Sequence, residues 1–497
     1  MMTLRSKLLS AVLSLLLVLA FTASLMFAAG VLPVVLWTDA LIFALLAFII
    51  LTIVYGANTP HWRTPWRKVK QLRAGMAAAV ILVCFALVAL LDSIHFRLPV
   101  TGDARATTFG RYQPETLSIL DVLGTRLRTQ VETSYSAPFA WTGYVKETFE
   151  KADGTTVRDF PRLRHAAAHL ADPARQRWPD VFTSVGVGLV LAGALTFVLF
   201  LIVAVFTARA NKVAVKHEAA CILRGKSQTP WRVILVTLGA MMGFVVCVAL
   251  LAPKYHVLGT DKIGQDVLWQ AIKSVRTGLV IGTLTTLIML PFAVLLGVMA
   301  GYFRGWIDDV VQYTYTTLNS IPSVLLVAAA VLMVQLYIDS RQEVFDSAQR
   351  ADLRLLFLCM ILGVTSWTGL CRYLRAETLK LRESDYVQAA QALGVSHVRI
   401  LLRHIVPNVM HIVLITVVLD FSGLVLAEAV LSYVGVGVDP AMDSWGNMIN
   451  RARLEMAREP MVWWSLLGAF SFMFVLVLAA NLFADAVRDA YDPRSRV

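Results

Sequence analysis

The feature that most constrains the fold of this chain is a series of long apolar runs, several of which reach the roughly 20 residues that a helix needs to cross a bilayer. Inside lipid, backbone N–H and C=O groups find no water, so such runs must satisfy these groups within a helix. Spanning β-barrels show short alternating segments instead. Only 16% of the 497 residues are charged, against about 25% in soluble domains. The sequence therefore predicts an all-α integral membrane protein.

We predict about ten transmembrane helices from these runs. The first run also has the basic start and apolar middle of a signal peptide or signal anchor, but a second run follows closely, which favours a hairpin of two spans. The predicted spans are 8–30, 32–54, 74–92, 181–207, 231–252, 273–301, 311–338, 354–371, 409–437 and 461–483.

The basic residues between these runs predict the orientation of the chain. Lys and Arg in short loops favour the cytoplasmic side, and they are concentrated in 61–73, 208–226 and 372–403. With ten spans, an amino terminus in the cytoplasm places all three segments and the carboxyl terminus there. Segment 93–180 is then external. Its stretch 115–131 has leucines spaced as in an amphipathic helix.

Composition and motifs exclude several classes of function. The net charge of +12 is explained by the basic loops, and no basic stripe with stacking aromatics indicates a nucleic-acid partner. The five cysteines form no Cys-x-x-Cys pair, and no metal site is predicted. There is no phosphate-binding Gly-x-x-x-x-Gly-Lys-Ser/Thr loop, no Gly-x-Ser-x-Gly and no His-Glu-x-x-His. We therefore predict no catalytic residues, no bound cofactor and no enzyme activity.

A polar, alanine-rich stretch, YVQAAQALGVSHVRILLRHIVPN, interrupts the apolar pattern from Tyr386 to Asn408. A helix is predicted from Asp385 to Leu393, where small side chains allow another surface to come close. Gly394 is expected to end this helix in a turn. A second short helix can begin at Ser396, a residue type that caps helix amino termini.

The second half of this stretch completes the predicted hairpin. Val398, Leu401 and Leu402 are expected to lie on one side of the short helix. Pro407 is expected to hold Val406 in an extended conformation. The result is a compact helix–turn–helix between two spans. An amphipathic loop lying on lipid headgroups fits the same residues equally well.

The hairpin resembles the Glu-Ala-Ala signature of permease subunits in binding-protein-dependent ATP-binding-cassette (ABC) importers. The matching residues are Gln388-Ala389-Ala390, then Gly394 after three residues, then His404-Ile405-Val406-Pro407. Gln388 stands where the signature has an acid, and Val406 where it has leucine.

Further segments resemble one branch of that group, the C-type subunit of dipeptide and oligopeptide importers. These segments are HVLGTDKIGQDVLWQAIKSVRTGL (256–279), SIPSVLLV (320–327), AEAVLSYVGVGVDPAMDSWGNMI (427–449) and ADAVRDAYDPR near the carboxyl terminus. Val257 and Gln265 depart from the pattern. The resemblance covers 231–497 in order, which leaves 1–230 as an N-terminal extension with about four transmembrane helices and the external segment 93–180.

The resemblance implies that residues 231–497 form the six-helix core of a type I ABC importer permease. Such a subunit moves peptides or similar small solutes by alternating access. The implied partners are a B-type permease in a heterodimer, two cytoplasmic ATPases that use ATP with Mg, and an external solute-binding protein. The implied location is the bacterial inner membrane.

The resemblance also implies that the hairpin couples this chain to an ATPase. The coupling residues that it implies are Glu383, Asp385, Tyr386, Gln388, Ala389, Ala390, Gly394, Arg399, His404 and Pro407. Asp420 and Glu428 are ionisable residues in an apolar run, which predicts a pathway or gate role. Alternatively, Glu428 reaches the outer membrane interface.

Two alternatives stay open from the sequence. The glycines spaced by four at Gly297, Gly301 and Gly305, and at Gly278 and Gly282, allow close helix contact, either within the chain, which we favour, or with a partner permease. The alternative function is a stand-alone channel or secondary transporter without ATPase partners. Many membrane charges or inverted repeats would favour that function, and neither is evident.

Overall fold

The computed structural model describes residues 31–56, 60–99, 112–150, 156–227, 229–340 and 345–491. The predicted span 8–30 lies outside the described residues. The N-terminal part, up to residue 230, contains both strands and helices. In chain order its elements are β1 (Leu32–Val34), α1 (Trp37–Gly56), α2 (Pro60–Val69), α3 (Arg73–Asp92), β2 (His95–Arg97), β3 (Leu117–Ser118), α4 (Ile119–Leu123), α5 (Thr125–Thr129), β4 (Glu147–Glu150), β5 (Thr156–Asp159), α6 (Pro173–Asn211) and α7 (Val215–Arg224).

The C-terminal part, from residue 231, is helical throughout the residues that are described. Its elements are α8 (Trp231–Leu251), α9 (Val267–Phe303), α10 (Trp306–Ser320), α11 (Ser323–Asp339), α12 (Ser347–Ser366), α13 (Thr368–Arg382), α14 (Asp385–Ala392), α15 (His397–Ile400), a π-helical turn (Leu401–Ile405), α16 (Val406–Tyr433), α17 (Trp445–Glu455) and α18 (Trp464–Tyr491). Helix α9 is central and packs against α3, α12, α13, α16 and α18.

The all-α class of the membrane part is confirmed. Within the described residues, seven helices are long and apolar enough to cross a membrane, or eight if α10 and α11 together make one span. Helix α1 is a shorter apolar helix at the predicted span 32–54. The strands lie between or before these helices, where β1, β2 and β3 form an antiparallel sheet and β4 pairs with β5.

The predicted span over 311–338 is not one straight helix. Helices α10 and α11 meet at an angle of 87°. At the junction Ile321 has φ −91° and ψ 131°, an extended conformation. Proline disfavours the helical conformation in the residue before it, and Pro322 follows Ile321 directly. The chain therefore turns sharply between the two helices.

The predicted amphipathic helix over 115–131 is also wrong. The segment contains the short strand β3 and the short helices α4 and α5, which are separated at Gly124. Leu117 and Leu120 are buried, but Leu123 is 70% exposed. The leucines have helical spacing in the sequence. Leu117, however, pairs with Phe96 in a β-sheet and is therefore not part of a helix.

Four of the five ridge glycines pack within the chain, as we favoured, whereas Gly305 lies beyond the end of α9 and a Cβ atom there would meet nothing within 4 Å. A Cβ atom on Gly297 would lie 2.8 Å from the backbone oxygen of Cys371, and one on Gly301 would lie 2.7 Å from that of Arg375. Helices α9 and α13 therefore cross in direct backbone contact. Gly278 and Gly282 are likewise covered, by Trp445 and Phe421 of the same chain.

A buried ion cluster joins the N-terminal part to the amino-terminal end of α9. Arg276 Nη2 donates to Asp39 Oδ1 at 2.6 Å, and Lys273 Nζ donates to Asp92 Oδ1 at 2.7 Å. Lys273 also lies 3.1 Å from Asp121. The side chains of Arg276 and Asp39 are 6% and 0% exposed. Because buried charges must be paired, these contacts fix the two parts of the chain together.

A second buried contact lies beside the first, in the loop between α8 and α9. His256 Nδ1 lies 2.8 Å from Asp266 Oδ2, and its Nε2 lies 3.5 Å from Glu132 Oε1. Burial opposes the charge on His256, but the hydrogen bond to Asp266 and the nearby Glu132 outweigh burial and raise the pKa of His256 to about 9. The charged form of His256 therefore stabilises the folded protein.

We expect His256→Gln to destabilise the protein at pH 6 and to have little effect at pH 10. A raised pKa contributes stability that is complete below the unfolded value of 6.5 and is lost as the pH rises through about 9. The full contribution is on the order of 3 kcal/mol. Thermal unfolding of the purified protein at both pH values measures it, with the exposed His217→Gln as the control. An equal loss at both pH values would contradict a charged His256.

Candidate functional site

The polar stretch after α13 forms a helical hairpin whose first half matches the prediction. Helix α14 runs from Asp385 to Ala392. Gly394 has φ +72°, the left-handed conformation that glycine adopts without strain. The N–H of Val395 donates to the carbonyl oxygen of Ala390 at 3.1 Å, which satisfies a carbonyl at the end of the helix. The chain then turns into α15.

The second half of the hairpin differs from the prediction, because it is not a separate short helix. Helix α15, the π-turn and α16 follow one another without a break from His397 to Tyr433. Val406 has φ −53° and ψ −47°, so it is helical and not extended. The ring of a proline clashes with the carbonyl one turn earlier in a regular α-helix. The wider π-turn, in which the N–H of Val406 donates to Leu401, lies directly before Pro407 and relieves that clash.

The cap and the predicted apolar side also differ in part. Ser396 occupies the cap position, but its hydroxyl makes no capping hydrogen bond. Leu401 packs against the buried cluster around α13, whereas Val398 and Leu402 are 64% and 65% exposed. The three residues therefore do not share one side. The buried side consists instead of Val387, Ile400 and Ile405, all fully buried.

Polar contacts fix the hairpin to the end of α9. Tyr302 Oη lies 2.8 Å from His397 Nδ1 and accepts a hydrogen bond from Gln391 Nε2 at 3.2 Å. Just beyond α9, Arg304 Nη2 donates to Glu383 Oε1 at 2.6 Å. The Glu383 carbonyl accepts from Gln388 Nε2 at 3.2 Å. The hairpin is thus attached at both of its helices to one long membrane helix.

A second set of contacts closes the base of the hairpin. Asn408 Nδ2 donates to Tyr386 Oη at 3.1 Å and to the carbonyl oxygen of His404 at 2.7 Å. The rings of Tyr386 and His404 lie 6.1 Å apart. The structure therefore brings together two residues that the sequence singled out separately.

The outer end of the hairpin carries exposed apolar side chains. Leu393 is 83% exposed, and Val398 and Leu402 are exposed to nearly two thirds. We call these three residues the tip surface. The other exposed residues that the sequence singled out are Glu383, Asp385, Tyr386, Gln388, Ala389, Gly394, Arg399 and Pro407, while Ala390 and His404 are half-buried.

Sequence reasoning missed Leu393, Tyr302 and Arg304. Leu393 could have been found, because it is a large apolar residue placed directly before the turn glycine of a polar stretch. Tyr302 is 95 residues from its partner His397, and Arg304 is 79 residues from its partner Glu383. No local pattern indicates contacts over that separation.

Asp420 and Glu428 lie on α16, but in different surroundings. Asp420 is half-buried and has no hydrogen bond or ion pair within the described part of the chain. Glu428 is 1% exposed and accepts a hydrogen bond from Ser432 Oγ at 2.7 Å. A Cβ atom on Gly446 would lie 2.8 Å from Glu428 Oε1, so α17 packs against this carboxylate. Their role in a pathway or gate stays a prediction.

The second half of the chain is similar to a known protein family and to several known proteins. Residues 293–497 match the family described as "Binding-protein-dependent transport system inner membrane component". The chain is 32% identical over 250 residues to the oligopeptide transport system permease protein OppC of Mycobacterium tuberculosis, a match that covers 50% of this chain and 80% of the relative.

Two further relatives are also described as permease proteins of oligopeptide or dipeptide transport systems. The chain is 31% identical over 242 residues to OppC of Haemophilus influenzae, covering 49% of this chain and 71% of the relative. It is 29% identical over 240 residues to the dipeptide transport system permease protein DppC of Lactococcus lactis, covering 48% and 64%. A solved structure of the MetNI methionine ABC transporter is 14% identical with a TM-score of 0.34, covering 45% of this chain and 97% of that chain, a likeness too weak to carry an argument.

Proposed function

Because this chain belongs to the permease subunits of binding-protein-dependent ABC importers, of the OppC and DppC type, we propose that it moves peptides or similar small solutes across the membrane by alternating access. As such a subunit it is a multi-pass inner-membrane protein and is not itself an enzyme. Oligopeptides and dipeptides are the solutes in the names of its relatives, which supports peptides as the substrate class.

The observation that carries this proposal is the tip surface. Leu393, Val398 and Leu402 are large apolar side chains on a hairpin whose other residues are mostly polar and exposed. Apolar side chains on an exposed surface indicate a contact with a partner protein or with the membrane surface. Burying one such side chain contributes about 1.5–3 kcal/mol. The partner that we propose is a cytoplasmic ATPase, into whose surface the hairpin docks.

The attachment of the hairpin supports transmission of force from that partner. The contacts of Tyr302 with His397 and of Arg304 with Glu383 hold the hairpin to α9. Because α15 continues into α16, a displacement of the tip surface moves a membrane helix directly. Movement of α9 and α16 relative to the partner permease then alternates access between the two sides.

The residues implied by the resemblance take distinct parts in this proposal. Gln388, Ala389, Gly394 and Arg399 are exposed around the tip surface and contact the ATPase. The other residues support the hairpin from within the chain: Glu383, Asp385, Tyr386, Ala390, His404 and Pro407. The unpaired Asp420 faces the translocation pathway, and Glu428 acts as a gate between α16 and α17.

The finer organisation is also part of the proposal. Two ATPases use ATP with Mg, a B-type permease completes a heterodimer, and an external binding protein delivers the solute. Both chain termini are cytoplasmic. Residues 231–497 form the transport domain and 1–230 an added domain, and contacts of α8 with α6 and α3 support an added domain that is built tightly onto the transport domain.

Reconstitution in proteoliposomes tests the proposed function. We expect peptide uptake only when the chain is combined with a B-type permease, both ATPases and the binding protein, and only with ATP and Mg. Complexes with catalytically inactive ATPases serve as the control and should show no uptake. If the purified chain alone carried solute, the stand-alone channel or secondary transporter would be the correct function.

A further inference from the structure

A long apolar groove lies between α6 of the N-terminal part and α8 of the C-terminal part, with α7 at one end. Its volume is about 740 Å³. We propose that this groove binds one acyl chain of an anionic phospholipid, whose phosphate lies against the basic side chains of Arg224, Lys226 and Arg232 at the α7 end. Nothing in the proposed transport function requires such a site.

The lining and the length of the groove fit a hydrocarbon chain. The residues that line it include Leu189, Phe197, Leu235 and Phe244, and none is acidic. On α8 the lining extends from Arg232 to Cys247, which corresponds to roughly 22 Å of helix. One leaflet contributes about half of the roughly 30 Å hydrocarbon core. The groove therefore extends from the headgroup level to the middle of the bilayer.

Glycines on α6 and α8 leave space in the groove, while the two helices stay in contact on either side of that space. Helices α6 and α8 touch where a Cβ on Gly188 would lie 2.8 Å from Cys247 Sγ, and where a Cβ on Gly239 would lie 2.9 Å from Thr196 Cγ2. Between these contacts, a Cβ on Gly193 would meet nothing within 4 Å, and one on Gly243 only Leu189 at 4.0 Å. The space beside Gly193 and Gly243 is thus open to a ligand.

Positive charge is concentrated at one end of the groove. Arg232 lines it, and the Arg232 Cδ atom lies 4.0 Å from a Cβ position on Gly225, the residue between Arg224 and Lys226. All three basic side chains are exposed. Helix α8 crosses from this end to the loop before α9, and α9 returns to the hairpin, so the basic end lies on the same side as the hairpin. Basic residues at a membrane surface attract anionic lipids.

The position of the charge favours a lipid over a helix of a partner protein. The lining along α6 and α8 is mainly apolar, and the exposed basic side chains stand at the α7 end. An anionic phospholipid has the same arrangement, with one charged headgroup at the end of an apolar chain.

Native mass spectrometry of the full chain from nanodiscs tests this proposal. The nanodiscs contain equal amounts of phosphatidylglycerol and phosphatidylcholine with identical acyl chains, and retained lipid is counted after mild delipidation. We expect the wild-type protein to retain phosphatidylglycerol preferentially. Gly193→Leu fills the groove and should lower that retention roughly tenfold, equivalent to about 1.4 kcal/mol. Arg232→Gln should remove the preference between the two lipids.

Gly186→Leu is the matched control, because Gly186 is also on α6, also has nothing within 4 Å of a Cβ, and does not line the groove. It should retain lipid as the wild-type protein does. Leucine favours a helix more than glycine, so neither variant should unfold α6. Unchanged retention in Gly193→Leu would overturn the proposal, as would a co-purified protein in place of lipid.

Discussion

Leu393→Asp should abolish ATP-driven uptake while the protein remains inserted in the membrane. Leu393 is 83% exposed, so the substitution removes almost no contact within the chain. In the docked complex, however, the new carboxylate would be buried against an apolar surface without a partner, which is strongly unfavourable. Truncating a central interface residue commonly costs 2 kcal/mol or more, about a thirtyfold loss of affinity. We expect a loss at least that large.

The measurement is co-purification of the ATPase together with uptake in proteoliposomes. Leu454→Asp is the control, because Leu454 is 67% exposed on α17, at the opposite end of α16 from the hairpin. It should bind the ATPase and transport normally. Gly394→Asp should fail as Leu393→Asp does, since it places a carboxylate beside Leu393, at a position where φ is +72° and glycine is favoured. Normal transport by both hairpin variants would show that the tip surface is not the docking site.

Arg276→Met should destabilise the protein more than any change of a surface charge. Arg276 Nη2 donates to Thr38 Oγ1 at 3.0 Å and to Asp39 Oδ1 at 2.6 Å, and it lies 3.8 Å from Asp352. Both carboxylates are at most 1% exposed. Removing one partner of a buried ion pair costs about 3–5 kcal/mol, because the remaining charge stays buried without it. Among the described residues, Asp39 would keep only His95, whose Nδ1 lies 2.8 Å from Asp39 Oδ2.

Thermal unfolding of the purified protein measures this loss. Arg128→Met removes an exposed ion pair with Glu115 and should cost about 1 kcal/mol or less. The double variant Arg276→Met with Asp39→Asn should recover part of the stability, since it also removes one of the two carboxylates that lose Arg276. If Arg276→Met matched the control, the ion cluster would not be what joins the N-terminal part to α9.

The elements that the sequence predicted correctly are those that follow from local rules. Apolar length predicted the membrane helices, and Gly394 after an alanine-rich run predicted the turn of the hairpin. The break at Pro322 was predictable by the same rules, since the residue before a proline avoids the helix and the residues from Thr316 to Ser320 are mostly polar. Val406 was assigned an extended conformation by that rule, and the π-turn overrode it.

The contacts between distant residues were not predictable from one sequence. Arg276 and Asp39 are 237 residues apart, and Thr38 and Asp352 are 314 apart. In the sequence, Arg276, Asp39 and Asp352 are each a single charged residue near the end of an apolar run. Only the packing of α1, α9 and α12 shows that they neutralise one another.

The π-turn affects the direction in which the hairpin points relative to α16. The rod from His397 to Tyr433 is 37 residues, roughly 55 Å, long. In a regular α-helix each residue is rotated by about 100° about the axis from the one before it. The number of residues between Val398 and Glu428 would therefore fix the angle between their side chains. The extra residue accommodated between Leu401 and Ile405 changes that angle near the hairpin. A single insertion or deletion there would therefore change the direction of the tip surface without rotating the residues of α16 that follow.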